Sequence, residues 1–449
     1  MKKNKKLILA GIILLAIVIS LPPVWSRIAY HSKEAYRTVK YWLYPPSEAV
    51  FVPSGNEGEN TAVTTLPSMP TATPSLQPTA DVAAAATQTM PAATVVPTPE
   101  ATAEPLPPSV LLTGFKGEAQ FMNNCGPATL SINLSHYDWG KDQIYAGGIL
   151  KPNFEDVNVS PYELVNFVHA ETELKALWRY GGTLDTLRAL VSAGIPVIIE
   201  KSYEPFSLRS EGWMGHYNLV VGYDDKNASL TVQDSYMLRH TPWGEEVPPE
   251  QYDTFVGFAF SYADLEEAWR SFNNVFVVVY PPDKEDAVMQ ALGPLADEKS
   301  ACQVALDRAT QETESLDDVR GKYFAWFNAG TSQVCLEDYK AAADAYDKAF
   351  ALYPDIDQAR RPFRMLWYET GPYPAYYHTE RYQDVIDLAD QTLSRMADPV
   401  LEESYYWRGM AYNALGDTAK AIQDLRTSLR YHAGYQPSLD MLKQLGVEP

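Results

Sequence analysis

The sequence predicts a mixed α+β domain followed by an all-α solenoid, both set behind an apolar N-terminal helix and a disordered stalk. Three observations carry this. A Pro/Thr/Ala-rich stretch over 51–108 separates the apolar N-terminus from chain of globular composition. From about 109 to 283, helical periodicities come first and short β-branched runs later, the order of an α+β domain. From 284 to 449, helix follows helix with a recurring pattern of small and aromatic residues.

The 449 residues exceed what one hydrophobic core serves, so more than one globular unit is expected. A net charge of −21 lacks the basic footprint of a nucleic-acid binder, which excludes that partner class. Three cysteines are too few to build a disulfide scaffold.

Lys2, Lys3, Lys5 and Lys6 precede an uninterrupted apolar run from Leu7 to Leu21, closed by Pro22-Pro23. A basic tip before such a run is an export signal. With no small-x-small cleavage site after it, residues 1–25 read as an uncleaved transmembrane signal anchor. The expectation is a single-pass cell-membrane protein, touching the membrane through this helix, with its globular domains extracytoplasmic. Over 26–50, Ile28, Ala35, Val39 and Leu43 suggest a juxtamembrane amphipathic helix. Residues 51–108 hold too little apolar surface to offset their ordering entropy, and are expected to form a disordered linker free of packed contacts. Its reach runs from roughly 40 Å as a coil to roughly 180 Å as polyproline II.

Within 109–283 the elements have local causes. Ser160-Pro161-Tyr162-Glu163 is a capping box that starts a helix. Thr183 to Ala193 reads as a helix stopped by Gly194, and Ile195 to Glu200 as the strand after it. Tyr217–Tyr223 and Ser229–Asp234 read as two strands joined by the turn Asp224-Asp225-Lys226-Asn227. Ser261 to Phe272 is a capped helix and Val275 to Tyr280 a buried strand. Beyond 284, Trp326, Gly330, Ala342, Tyr346, Ala349 and Pro354 fall at the offsets of a tetratricopeptide repeat. Tyr405, Gly409, Tyr412, Gly416 and Ala421 repeat the pattern, and 366–394 has the same character. Such a solenoid is expected to bind a protein partner.

The chemistry concentrates in Gln120-Phe121-Met122-Asn123-Asn124-Cys125-Gly126-Pro127-Ala128-Thr129-Leu130. Gly126-Pro127 opens a helix, so Cys125 sits at a helix N-terminus, where free N–H groups favour a thiolate and can hold an oxyanion. A lone cysteine is more often a small hydrophobe, so the partners decide. His216 opens the strand toward Tyr223, and Asp234 closes its neighbour. A tight turn between them puts both at the same end of the pair. There Asp234 can take one imidazole nitrogen and leave the other to Cys125.

Three signatures together resemble the C39-like branch of the papain-type cysteine peptidases. They are Gln120 with Cys125-Gly126-Pro127-Ala128, then Gly194-Ile195-Pro196-Val197-Ile198, then His216-Tyr217 with Gly222-Tyr223-Asp224 and Asp234. The resemblance implies a papain-like fold with Cys125 as nucleophile, His216 as general base and then acid, and Asp234 as orienter. It also implies an oxyanion donor before the nucleophile, for which Gln120 is the match and Asn123 or Asn124 the substitutes. C39 peptidases of bacteriocin exporters carry transporter modules and cut double-glycine leaders. No phosphate-binding Gly-x-x-x-x-Gly-Lys-Ser/Thr loop or multi-span region occurs here, so that substrate does not carry over.

His136, His169, His240, His378 and His432 show no metal spacing, and no metal or cofactor is expected. Cys302 and Cys335 lie on helices expected to pack antiparallel, either bridged or buried as free thiols. The function predicted is a surface cysteine hydrolase, most simply a peptidase acting on protein or peptide substrates, fused to a binding module. A non-catalytic adaptor, or a thiol amidase or acyltransferase acting on cell-wall peptide, would use the same two domains.

Overall fold

The computed structural model describes residues 105–153, 155–204, 212–238, 247–396 and 398–449, together with 51–53 and isolated positions between 32 and 43. The expected anchor over 1–25 and most of the linker lie outside the described residues. No helix among the described residues is long and apolar enough to cross a membrane.

The first lobe is a mixed α/β domain around one antiparallel sheet, which has seven strands among the described residues. They are β1 (Ser109–Leu111), β2 (Lys175–Arg179), β3 (Val197–Tyr203), β4 (Met214–Asp224), β5 (Ser229–Gln233), β6 (Phe258–Ser261) and β7 (Phe276–Tyr280). The order is β2-β7-β3-β4-β5-β6, and β1 also pairs with β4, beyond the end of β3. Helices cover both faces: α1 (Cys125–Ser135), α2 (Gln143–Leu150) and α3 (Pro161–Glu171) belong to one side, α4 (Leu184–Ser192) and α5 (Tyr262–Arg270) to the other. Val197, Ile199, Val220, Val232, Phe276 and Val278 share a core with Leu187, Leu190 and Trp269. The alternate positions Ile198, Leu219, Val221, Val277 and Val279 share another with Leu130, Leu134, Leu164 and Phe167. Two covered faces explain why the strands read as continuous apolar runs rather than alternating ones. The capping box at Ser160, the cap at Thr183 and the left-handed Gly194 at φ +82° all form as the local sequence predicts.

The second lobe is helical. It comprises α6 (Glu285–Leu292), α7 (Glu298–Ser315), α8 (Val319–Cys335), α9 (Tyr339–Leu352), the short α10 (Met365–Tyr368) and α11 (Pro372–His378), α12 (Tyr382–Arg395), α13 (Glu402–Ala414), α14 (Thr418–Tyr431) and α15 (Gln436–Gln444). The helix pairs α8–α9 and α13–α14 use their small residues alike. A Cβ on Gly330 would come 2.8 Å from the Tyr346 ring, and one on Gly409 3.3 Å from Leu425, each partner sixteen positions downstream. Cys302 on α7 and Cys335 at the end of α8 form a disulfide with Cα atoms 6.2 Å apart.

One expectation is corrected. Phe51 lies in the segment expected to make no packed contacts, yet it is buried among the helices, with ring centroids 5.1 Å from Phe350 and 6.2 Å from Tyr376. At the other end, the carbonyl of Pro107 accepts the Tyr223 hydroxyl at 2.6 Å. A composition average over the stretch hides an aromatic at its edge, and one buried ring suffices to fix that end.

Candidate active site

α1 is a buried helix running against β4. Gly126 lets it approach closely, since a Cβ there would meet Val159 at 3.3 Å and the Tyr217 ring at 3.5 Å. Thr129 Oγ1 donates to the Tyr217 carbonyl at 3.2 Å. This contact sets Cys125, the first residue of α1, beside His216 on β4.

The structure brings Cys125, His216 and Asp234 together. The Cys125 thiol and the His216 ring share a hydrogen bond. His216 Nε2 lies 2.9 Å from Asp234 Oδ1, which leaves Nδ1 for the sulfur. Asp234 Oδ1 also accepts the N–H groups of Tyr236 at 2.9 Å and Met237 at 3.0 Å, so a backbone turn holds the carboxylate in place. His216 and Asp234 are buried, whereas Cys125 is partly exposed.

The electrostatics follow from these contacts. Burial alone would raise the Cys125 thiol, but the His216 hydrogen bond and charge, the Tyr217 backbone and Lys151 outweigh it and hold the thiol below its ordinary value. Burial would likewise lower His216, yet Asp234 and Cys125 push it up to about 9. Asp234 is buried too, which would raise it, and His216 and Lys201 hold it well below the usual carboxylate range. The site therefore favours a thiolate facing an imidazolium, the reactive form of a cysteine nucleophile.

Gln120 is brought to the same corner. Its N–H donates to the Ser235 carbonyl at 2.9 Å, and its Oε1 accepts the Ser235 hydroxyl at 2.9 Å. With the side-chain carbonyl occupied, the amide N–H groups remain for other acceptors. Asn124 turns away to Gln143, donating to its Oε1 at 2.9 Å, so it cannot serve an oxyanion. The Asn123 side-chain nitrogen is buried and has no hydrogen-bond partner among the described residues.

Sequence reasoning missed several neighbours. Gln143 on α2 accepts the Phe121 N–H and donates to the Ala119 carbonyl, both at 2.9 Å, shaping the loop before Cys125. Lys201, paired in register with His216, is buried, and its charge supports Asp234. The adjacent charges Glu200-Lys201 at the end of an apolar strand were the legible signal. Lys151 carried none, because its approach to Cys125 depends on how α2 packs.

The model of the Peptidase_C39 like family matches residues 112–265, a span that holds Cys125, His216 and Asp234. The first lobe contains a C39-like domain. A tetratricopeptide repeat model matches 402–431, the α13–α14 pair. No curated protein matches this chain. One similar solved structure is described as that of a C39-like peptidase from Bacillus anthracis. It is 16% identical over 38% of this chain and 96% of its own, with a TM-score of 0.29.

The helical lobe meets the C39-like domain close to the site. A Cβ on Gly215, the residue before His216, would lie 3.0 Å from the Tyr368 ring. Trp213 and Phe272 pack on that ring at 6.0 and 5.8 Å, and Arg364 donates to the Trp213 carbonyl at 3.0 Å. Glu200 and Glu369 come from opposite lobes, and each carboxyl is raised mainly by burial, Glu369 to about 8.

Proposed function

We propose that the C39-like domain is a cysteine peptidase in which Cys125 attacks the substrate carbonyl and His216 shuttles the proton. Asp234 fixes the ring, and the Gln120 amide, with the N-terminus of α1, stabilises the oxyanion. The observation that carries this reading is His216 held between the Cys125 thiol and the Asp234 carboxylate. The same reading places the enzyme outside the cytoplasm, tethered by residues 1–25, with the repeats recruiting a protein substrate or partner. A disulfide between Cys302 and Cys335 favours an oxidising compartment and supports that location.

Alkylation of the full-length protein with iodoacetamide at graded pH tests the catalytic reading. Cys125 should label rapidly below pH 7, and His216→Ala should abolish the acid-side reactivity. Slow labelling of the wild type would instead identify a non-catalytic adaptor.

A further inference from the structure

Away from the catalytic cleft, a second cluster lies where the C39-like domain meets the repeats. Glu163 comes from the first turn of α3, Glu402 and Glu403 from the first turn of α13, and His432 caps the end of α14. Glu163 Oε2 is committed to the capping box, where it accepts the Ser160 N–H at 2.7 Å. Its Oε1 lies 3.9 Å from His432 Nδ1, and Glu402 Oε1 lies 2.7 Å from the same nitrogen. One ligand atom from each residue lies within 4.8 Å of the other two.

We propose that Glu163, Glu402 and His432 form a divalent metal site, suited to Zn²⁺, that clamps the C39-like domain to the repeat domain. Ligand atoms at tetrahedral positions around one zinc ion are about 3.3 Å apart. The observed separations of 2.7 and 3.9 Å straddle that spacing, so small side-chain adjustments would close the site. One imidazole with two carboxylates suits zinc, whereas calcium and magnesium take all-oxygen shells.

A separate observation points to a cation. Glu403 is only 7% exposed; its carboxylate accepts its own backbone N–H and has no ion-pair partner among the described residues. Its charge acts on Glu402, Asp156 and His432, and Asp156 is itself buried. Among the described residues no lysine or arginine pairs with Glu163, Glu402 or Glu403; Lys151 acts on Asp156 and donates to the Asn123 carbonyl. Buried carboxylates in such excess are unfavourable unless protons or a cation fill the site. His432 places Nδ1 2.7 Å from Glu402 Oε1, so the cluster holds a nitrogen donor beside its carboxylates. No spacing motif announces the site because its ligands come from positions 163, 402 and 432.

Untagged full-length protein carrying Cys125→Ala, which removes the competing catalytic thiolate, is freed of metal with chelator and titrated with Zn²⁺ alone. One ion should bind per chain and raise the melting temperature. X-ray absorption of the loaded protein should show nitrogen and oxygen ligands without sulfur. Glu402→Gln and Glu163→Gln, each checked for native circular dichroism, should weaken binding at least about 10-fold. Uptake unchanged in both variants, or a sulfur shell, would overturn the proposal. So would a wild-type melting temperature that rises on acidification and does not respond to Zn²⁺, the mark of a proton-filled cluster. The absorption measurement needs no variant and stands even where a substitution prevents folding.

Discussion

His216 Nε2 is 2.9 Å from Asp234 Oδ1, and this contact decides that Nδ1 is the nitrogen facing Cys125. Asp234→Asn keeps the shape but offers an amide that can stabilise the wrong tautomer. Turnover of a peptide library should fall by roughly 10²- to 10⁴-fold while the fold, read by circular dichroism, is unchanged. Activity within a few-fold of wild type would remove Asp234 from the mechanism.

Gln120→Ala separates binding of the oxyanion from activation of the thiol. Gln120 contacts Ser235 rather than the His216 ring, so iodoacetamide labelling of Cys125 should stay near the wild-type rate. Peptide turnover should drop by about 10²- to 10³-fold. Parallel loss of both would mean that Gln120 only supports the loop.

The pH dependence of stability has a defined sign. His216 rises from 6.5 to about 9 on folding, so its contribution is full below about pH 6.5 and is lost as pH climbs through 9. Asp234 is depressed from 3.8, so its contribution is present above about pH 4 and is lost as pH falls further. Both are fully present only between about pH 4 and 6.5. Urea midpoints of wild type and His216→Ala, compared across pH, should differ most in that window and converge toward pH 10. A constant difference would show that His216 acts through packing alone.

Removing the Cys302–Cys335 bridge should destabilise the first helix pair of the second lobe. The disulfide closes a loop of 33 residues. On the chain-entropy view its loss costs about 4 kcal/mol. Cys302→Ala with Cys335→Ala should lower the denaturation midpoint and speed hydrogen exchange in α7 and α8, leaving Cys125 labelling intact. Slower Cys125 labelling in this double variant would instead couple the bridge to the active site.

The repeat glycines make a paired test. A Cβ at Gly330 meets a buried Tyr346 ring at 2.8 Å, a distance side chains do not adopt, whereas at Gly409 the nearest atom is the Ala421 carbonyl oxygen at 3.2 Å. Gly330→Ala should cost about 1–3 kcal/mol by overpacking, and Gly409→Ala less, with the gain in helix propensity offsetting part of it. Equal melting shifts would refute the difference in packing.

Much of the fold was legible because its causes are local. The Ser160 capping box, Thr183, Gly194 and the β-branched runs act on their own neighbours, so the sequence alone locates α3, α4, β3, β4 and β7 to within a few residues. The grouping of Cys125, His216 and Asp234 was legible for a related reason. Cys125 starts a helix and His216 and Asp234 end adjacent strands, so hairpin geometry alone brings the latter two together. What tertiary structure decided is what distance in sequence conceals. Phe51 finds its pocket among helices some three hundred residues away, and Lys151 and Lys201 supply charge to the site from α2's end and β3. Glu163, Glu402 and His432 meet only because the two lobes dock. Propensity and periodicity report interactions within one element. Burial, field and ligand geometry depend on which elements touch, and that is set by packing of the whole chain.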